Sequence, residues 1–174
     1  WKEDEYHAYG YPYPDAPERL RMLREALQVI RAMWTEETAT FEGQYYQVRG
    51  AINEPKGVQK PHPPIWIGGG GEQVTLKLVA QYGDACNISG LNPDTYRHKF
   101  AVLRQHCETL GRDYDSIMKT MLSRSDPSDI DAVVDEMRTF AKLGIDKVIF
   151  VPRGDPVAFT KRLGGDLAAR LDEP

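Results

Sequence analysis

Only two cysteines occur among the 174 residues, Cys86 and Cys107, and no Cys-x-x-Cys pair is formed. Dithiol redox chemistry and thiolate metal sites therefore lack support, and both are expected as buried free thiols in a reducing compartment. Histidine is scarce too: His7, His62, His98 and His106 fall in no His-Glu-x-x-His spacing, so no metal site is assigned. There is no Gly-x-Ser-x-Gly elbow, which leaves hydrolase nucleophile chemistry unsupported. No glycine run leads into Gly-Lys-Ser/Thr, which excludes a Walker-type phosphate loop. No apolar run approaches the ~20 residues of a spanning helix, and the first residues carry no signal-peptide pattern. The chain reads as cytoplasmic. A net charge of -4 with dispersed basic residues argues against a nucleic-acid surface and against an anionic membrane partner.

What is present is ordinary for a globular chain: 41% hydrophobic and 28% charged residues, enough for one domain, 1–174, with one core. The most informative stretch runs from Pro63 to Asn87. Pro63 and Pro64 bar a helix, and Ile65 to Ile67 is a short apolar run suited to a strand buried on both faces. Gly68, Gly69, Gly70 and Gly71 end it. From Glu72 the period changes, with Thr75, Leu78, Val79 and Tyr82 on one helical stripe and Gly83 placed as a left-handed stop. Ala85 to Ile88 follows as a second strand. This is a β-α-β unit whose glycine turn lies at the carboxyl end of its first strand.

Glycines there let backbone approach a ligand, and the amides of a helix opening near Glu72 and Gln73 suit a phosphate. The same four glycines serve equally as a tight connection, and the turn alone does not choose between these uses.

The rest of the chain supplies more strands and helices. Trp1 to Pro14 is rich in tyrosine, proline and glycine and reads as a loop packed by its own aromatics. Asp15 caps a helix, with Pro17 in its first turn and Glu18 as capping-box partner. Along it Leu20, Leu23, Leu27, Ile30 and Trp34 form the apolar stripe, while Arg19, Arg21, Arg24, Glu25 and Arg31 face elsewhere. A hairpin is expected around Glu42-Gly43, with strands at Ala39 to Phe41 and Tyr45 to Val48. Residues 49–62 form a connector, with Lys56 and Lys60 in solvent. Asn92-Pro93 opens a helix with Tyr96, Phe100, Leu103, Cys107 and Leu110 on one face and Gly111 as its stop. Strands follow at Ile117 to Leu122 and Lys147 to Val151. Between them Ser128 caps a helix through Ile130, Val133, Val134, Met137, Phe140 and Ala141, stopped by Gly144. A last helix starts at Asp155-Pro156 and resumes to Leu171 after Gly164-Gly165.

Four repeats of strand then helix specify parallel strands with right-handed crossovers, either an open doubly wound sheet or a barrel sector. In both, ligands bind at the carboxyl ends of the strands. Gly68 to Gly71, Asn87 to Gly90, Ser123 to Ser125 and Pro152 to Gly154 then share one rim, where Arg153 is suited to an anion.

Four segments in order carry a family resemblance: Met22-Leu23-Arg24-Glu25-Ala26, Phe41-Glu42-Gly43-Gln44-Tyr45-Tyr46, Lys60-Pro61-His62-Pro63-Pro64-Ile65-Trp66-Ile67-Gly68-Gly69, and Gly83-Asp84-Ala85-Cys86-Asn87. Together they resemble the carboxyl-terminal half of the bacterial luciferase-like monooxygenases, in particular the coenzyme F420-dependent oxidoreductases. The resemblance implies an α/β fold: four βα units from a (β/α)8 TIM barrel, with a small β-hairpin before the first. It implies F420, or FMN as the alternative, with hydride transfer as the chemistry and the cofactor phosphate held by Gly68, Gly69, Gly70, Gly71, Glu72 and Gln73. It also implies dimers, or association with a missing first half, since four barrel strands are not represented. No catalytic residue is assigned. Two rival readings stand beside this one: a non-catalytic cofactor-binding or assembly module joined through open sheet edges, and an open domain of flavodoxin type.

Overall fold

The computed structural model describes residues 1–89, 92–126 and 128–171. Backbone contacts gather into two compact units, Trp1–Pro63 and Pro64–Pro174.

In the first unit, α1 (Glu3–Ala8) precedes α2 (Ala16–Thr35), and β1 (Ala39–Glu42) pairs antiparallel with β2 (Gln47–Ala51). The expected opening loop thus contains a short helix, whose polar repeat hid it. The chain folds back beyond α1 onto its own rings: Tyr6 meets Tyr13 edge-on at 5.3 Å, and the Arg19 guanidinium lies 3.9 Å above Tyr13. Asp15 caps α2 as expected, accepting from Glu18 N–H at 2.8 Å.

Glu25 does not face solvent. Only 8% of it is exposed, and its carboxylate accepts N–H bonds from Gln44 (2.9 Å), Tyr45 (2.8 Å) and Tyr46 (3.1 Å). These amides are turned away from the hairpin ladder, which moves the second strand from the expected Tyr45 to Val48 to Gln47–Ala51. Burial pushes the Glu25 carboxyl up, but the three donors outweigh it and hold the group below the ordinary carboxylate range. Lys56 is likewise not in solvent, since its ammonium donates to the Met33 carbonyl at 3.1 Å. Leu27 and Ala39 are the buried hydrophobic residues of this unit, so polar caps and ring contacts carry much of its order.

The second unit is four strand-helix repeats. Strands β3 (Trp66–Gly68), β4 (Ala85–Ser89), β5 (Met118–Ser123) and β6 (Lys147–Phe150) form a parallel sheet in chain order. Each is followed by a helix: α3 (Thr75–Tyr82), α4 (Pro93–Leu110), α5 (Ile130–Lys142) and α6 (Pro156–Arg162). A π-helical turn over Leu163–Leu167 carries α6 into α7 (Ala168–Leu171), so the chain continues helically through Gly164 and Gly165.

Residues paired in a parallel sheet share a face. Ile67, Cys86 and Lys119 stand in one row and Ile88 and Met121 in another, all buried on the helix side. Against them pack Leu76, Val79, Leu103 and Phe100, and Tyr96 meets Phe140 edge-on at 5.3 Å, tying α4 to α5. At about 1.5–3 kcal/mol for each such side chain, this layer is the core. Both cysteines are free and buried there, and burial pushes the Cys86 thiol up to about 12.

The opposite face is open: Trp66, Met118 and Ile149 are 40%, 37% and 38% exposed. The strand at Ile65 to Ile67 is therefore covered on one face, not two. Across the open face the Lys147 ammonium lies 5.3 Å from the Trp66 ring centre, joining β3 to β6 over three strand spacings, about 14 Å.

Two aspartates set the register at the amino ends of the strands. Asp84 accepts from Ile65 N–H and Asp146 from Lys119 N–H, each at 2.7 Å. In return the amides of Asp84 and Asp146 donate to the carbonyls of Ile65 and Lys119, each at 2.8 Å. Asn92 and Gly111 bound α4 as expected, the latter at φ 65°. At α5 the capping side chain is Asp129, one residue beyond Ser128, because its carboxylate reaches Ala132 N–H at 3.1 Å. Gly83 is not left-handed: it is extended at φ −80°, and its lack of a side chain serves close packing, since a Cβ would lie 3.1 Å from the Val79 carbonyl oxygen.

Candidate cofactor-binding rim

The carboxyl ends of the four strands bring together most of the residues singled out in the sequence. Gly68 is the last residue of β3, and Gly69 follows it at φ 122°, a conformation that side-chain-bearing residues rarely adopt. Helix α3 begins at Thr75 rather than at Glu72, so Glu72 and Gln73 lie in the turn before it. Val74 provides no side-chain cap for α3, while Leu76 N–H reaches back to the Gly71 carbonyl at 2.9 Å.

The loop amides divide into two groups. Gly69 N–H is spent on the Asn87 carbonyl at 2.9 Å, which binds the loop to β4. The amides of Gly70, Gly71, Glu72 and Gln73 meet no acceptor among the described residues. They are four consecutive neutral donors, groups from which an anionic oxygen can accept. A Cβ on Gly71 would come within 2.9 Å of the Thr75 hydroxyl oxygen, so the loop's close fold depends on glycine there.

Three side chains of α4 hold this turn from the side. Lys99 donates to the Glu72 carboxylate at 2.6 Å, His98 lies 3.2 Å from the same oxygen, and the His106 ring nitrogen Nε2 donates to the Glu72 carbonyl at 2.8 Å. The Lys99 bond is the main reason that the Glu72 carboxyl sits below its ordinary range, with His98 assisting against some desolvation. The Lys99 stem passes 3.7 Å from where a Cβ on Gly70 would be, placing an ammonium carrier against the glycines. Sequence reading missed Lys99 and His106. The available signal is their spacing: seven residues apart beside the Tyr96–Phe100–Leu103–Cys107 stripe, they share one flank of α4.

The remaining rim residues are spread along the other strands. Asn87 Nδ2 donates to Thr120 Oγ1 at 2.8 Å, and that hydroxyl donates to the Cys86 carbonyl at 3.0 Å. Ser89 is exposed, and Gly90 lies outside the described residues. Ser123 donates to Ser125, which donates to Glu136, so these hydroxyls pin the loop after β5 to α5. Pro152, Arg153 and Gly154 are exposed beyond β6. An open sheet offers one wall, so the rim is a shelf. A groove lies within residues 1–63, lined by Tyr6, Tyr11, Pro12, Met22 and Tyr46.

The chain resembles known proteins over nearly its whole length. It is 31% identical over 163 residues to the F420-dependent glucose-6-phosphate dehydrogenase of Microbacterium testaceum, covering 91% of this chain and 47% of that protein. It superposes on the coenzyme F420-dependent tetrahydromethanopterin reductase of Methanopyrus kandleri with a TM-score of 0.81 at 15% identity, covering 99% of this chain and 72% of that one. It superposes on a riboflavin lyase holding modified FMN and riboflavin with a TM-score of 0.82 at 12% identity, covering 98% and 61%. The chain spans 47–57% of the length of the first curated relatives that it matches. Residues 1–142 match the luciferase-like monooxygenase family, and the chain belongs to that family.

Proposed function

We propose that this chain carries the cofactor-phosphate side of an F420-dependent oxidoreductase, with FMN as the alternative cofactor. The observation that carries this reading is that the amides of Gly70, Gly71, Glu72 and Gln73 meet no acceptor among the described residues, beside an ammonium on Lys99. In this reading the phosphate accepts from those amides, with Gly68 and Gly69 shaping the entry and Lys99 fixing Glu72 so that the turn is preorganised. The bound deazaflavin supplies hydride transfer. The protein's part is to orient it at the carboxyl rim, with the open face of β3 to β6 forming one wall of the site. A second set of strands, from a copy of this chain or from a first barrel half, supplies the other wall.

The test is a fluorescence titration of the 174-residue chain with F420, FMN and riboflavin. FMN is expected to bind at least about tenfold more tightly than riboflavin, which lacks the phosphate. Gly70→Asp places a carboxylate among the amides at a site where a Cβ makes only ordinary contacts, the nearest at 3.6 Å, and is expected to erase that difference. Equal affinity for FMN and riboflavin, together with no binding of F420, refutes the reading.

A further inference from the structure

Beside the glycine loop, on the open face of the sheet, stands a row of residues in register: Gly68, Asn87, Thr120 and Lys147. Thr120 is fully buried and its hydroxyl proton is committed to the Cys86 carbonyl, so toward Asn87 its oxygen can only accept. That settles which way the Asn87 amide points: Nδ2 toward Thr120, at 2.8 Å, because Oδ1 there would face another lone pair. The Asn87 Oδ1 and its second N–H then meet no partner among the described residues. Next to them a Cβ on Gly68 would touch nothing within 4 Å, so the Gly68 side of the amide is uncrowded. The backbone of Asn87 is bonded to the loop itself through Gly69 N–H at 2.9 Å.

A carboxamide held this way offers an acceptor and a donor side by side in one plane. Its complement is a group with a donor and an acceptor side by side, the C(=O)–N–H edge of a cyclic imide. Flavins and 5-deazaflavins carry that edge on the pyrimidine side of the ring, at the opposite end of the molecule from the phosphate. We propose that Asn87 reads the imide edge of the cofactor ring by a paired hydrogen bond, and that Thr120 is the positioning residue that orients its amide. The assignment rests on a ring cofactor lying at this rim, as in the function proposed above, but uses different atoms from the phosphate loop.

The test uses riboflavin and N3-methylriboflavin, neither of which has a phosphate, titrated by fluorescence quenching. The wild-type chain is expected to bind the N3-methyl compound about tenfold more weakly, since methylation removes the donor and leaves Oδ1 unpaired. Asn87→Leu is expected to weaken riboflavin by about tenfold and to make the two compounds equal. Thr120→Val is expected to weaken riboflavin about threefold, and Thr120→Ser, which keeps the hydroxyl, to restore it. The comparison of the two compounds on the wild-type chain needs no substitution, so it decides even where Asn87→Leu fails to fold. Equal binding of riboflavin and N3-methylriboflavin by the wild type, no riboflavin binding at all, or Asn87→Leu leaving their ratio unchanged overturns the assignment. The FMN-to-riboflavin ratio reports on the loop alone, so either reading can fail while the other stands.

Discussion

At the scale of single residues, Glu25 shows how a polar side chain on a helix can organise a neighbouring turn. Its carboxylate takes three consecutive backbone donors, and Gly43 leaves room for it: a Cβ at Gly43 would lie 2.3 Å from Glu25 Oε2. Replacing it with alanine is expected to lower the unfolding midpoint by roughly 5 °C and to speed hydrogen exchange at Gln44, Tyr45 and Tyr46, whereas a purely solvated glutamate would change neither. The pH dependence has a defined sign. The folded pKa is depressed, so the carboxylate's contribution is present above the ordinary carboxylate range and is lost as pH falls through the folded value. Periodicity marked Leu27 correctly as buried and placed Glu25 with the arginines, because helical spacing reports which face a residue occupies and not which hydrogen bonds wait there.

At the scale of elements, caps and strand order were largely readable. Asp15, Asn92 and Asp155 each accept from amides in the first turn of their helix, as Ser/Thr/Asp/Asn patterns before Pro foretell. Gly83 and Gly111 both follow a helix and look alike in sequence, yet they are glycine for different reasons. Gly111 sits at φ 65° with open space around it, while Gly83 is extended and wedged against Val79 backbone. Gly83→Ala is therefore expected to cost roughly 1–3 kcal/mol through a clash that backbone cannot relieve. Gly111→Ala is expected to cost about 1 kcal/mol through the left-handed conformation alone. Urea unfolding of both variants measures the difference, and a larger loss at Gly111 contradicts this account. The start of α3 was misplaced by three residues because Glu72 and Gln73 favour helices intrinsically; their turn is set instead by Lys99 and His106 from α4, a contact across 27 and 34 residues.

At the scale of the whole molecule, Trp66, Met118 and Ile149 stand part-exposed on one face of the parallel sheet, whose end strands are β3 and β6. Light scattering is expected to give a mass above the 19.7 kDa of one chain. Ile149→Glu, which puts a charge on the open face, is expected to reduce that mass; a wild-type monomer refutes the prediction. Amino-acid order alone determined the four strand-helix repeats, the carboxyl-rim position of the glycines and the family, because hydrophobic period, caps and glycine runs act over a few residues. Tertiary structure alone decided which loop amides meet no acceptor among the described residues, that Asn87 is oriented by a hydroxyl 33 residues away, and that Trp66, Met118 and Ile149 stand part-exposed on one face of the sheet. The physical reason is that hydrogen-bond partners and burial belong to the packed chain: a donor's fate depends on what arrives beside it, and neighbours in sequence do not specify that.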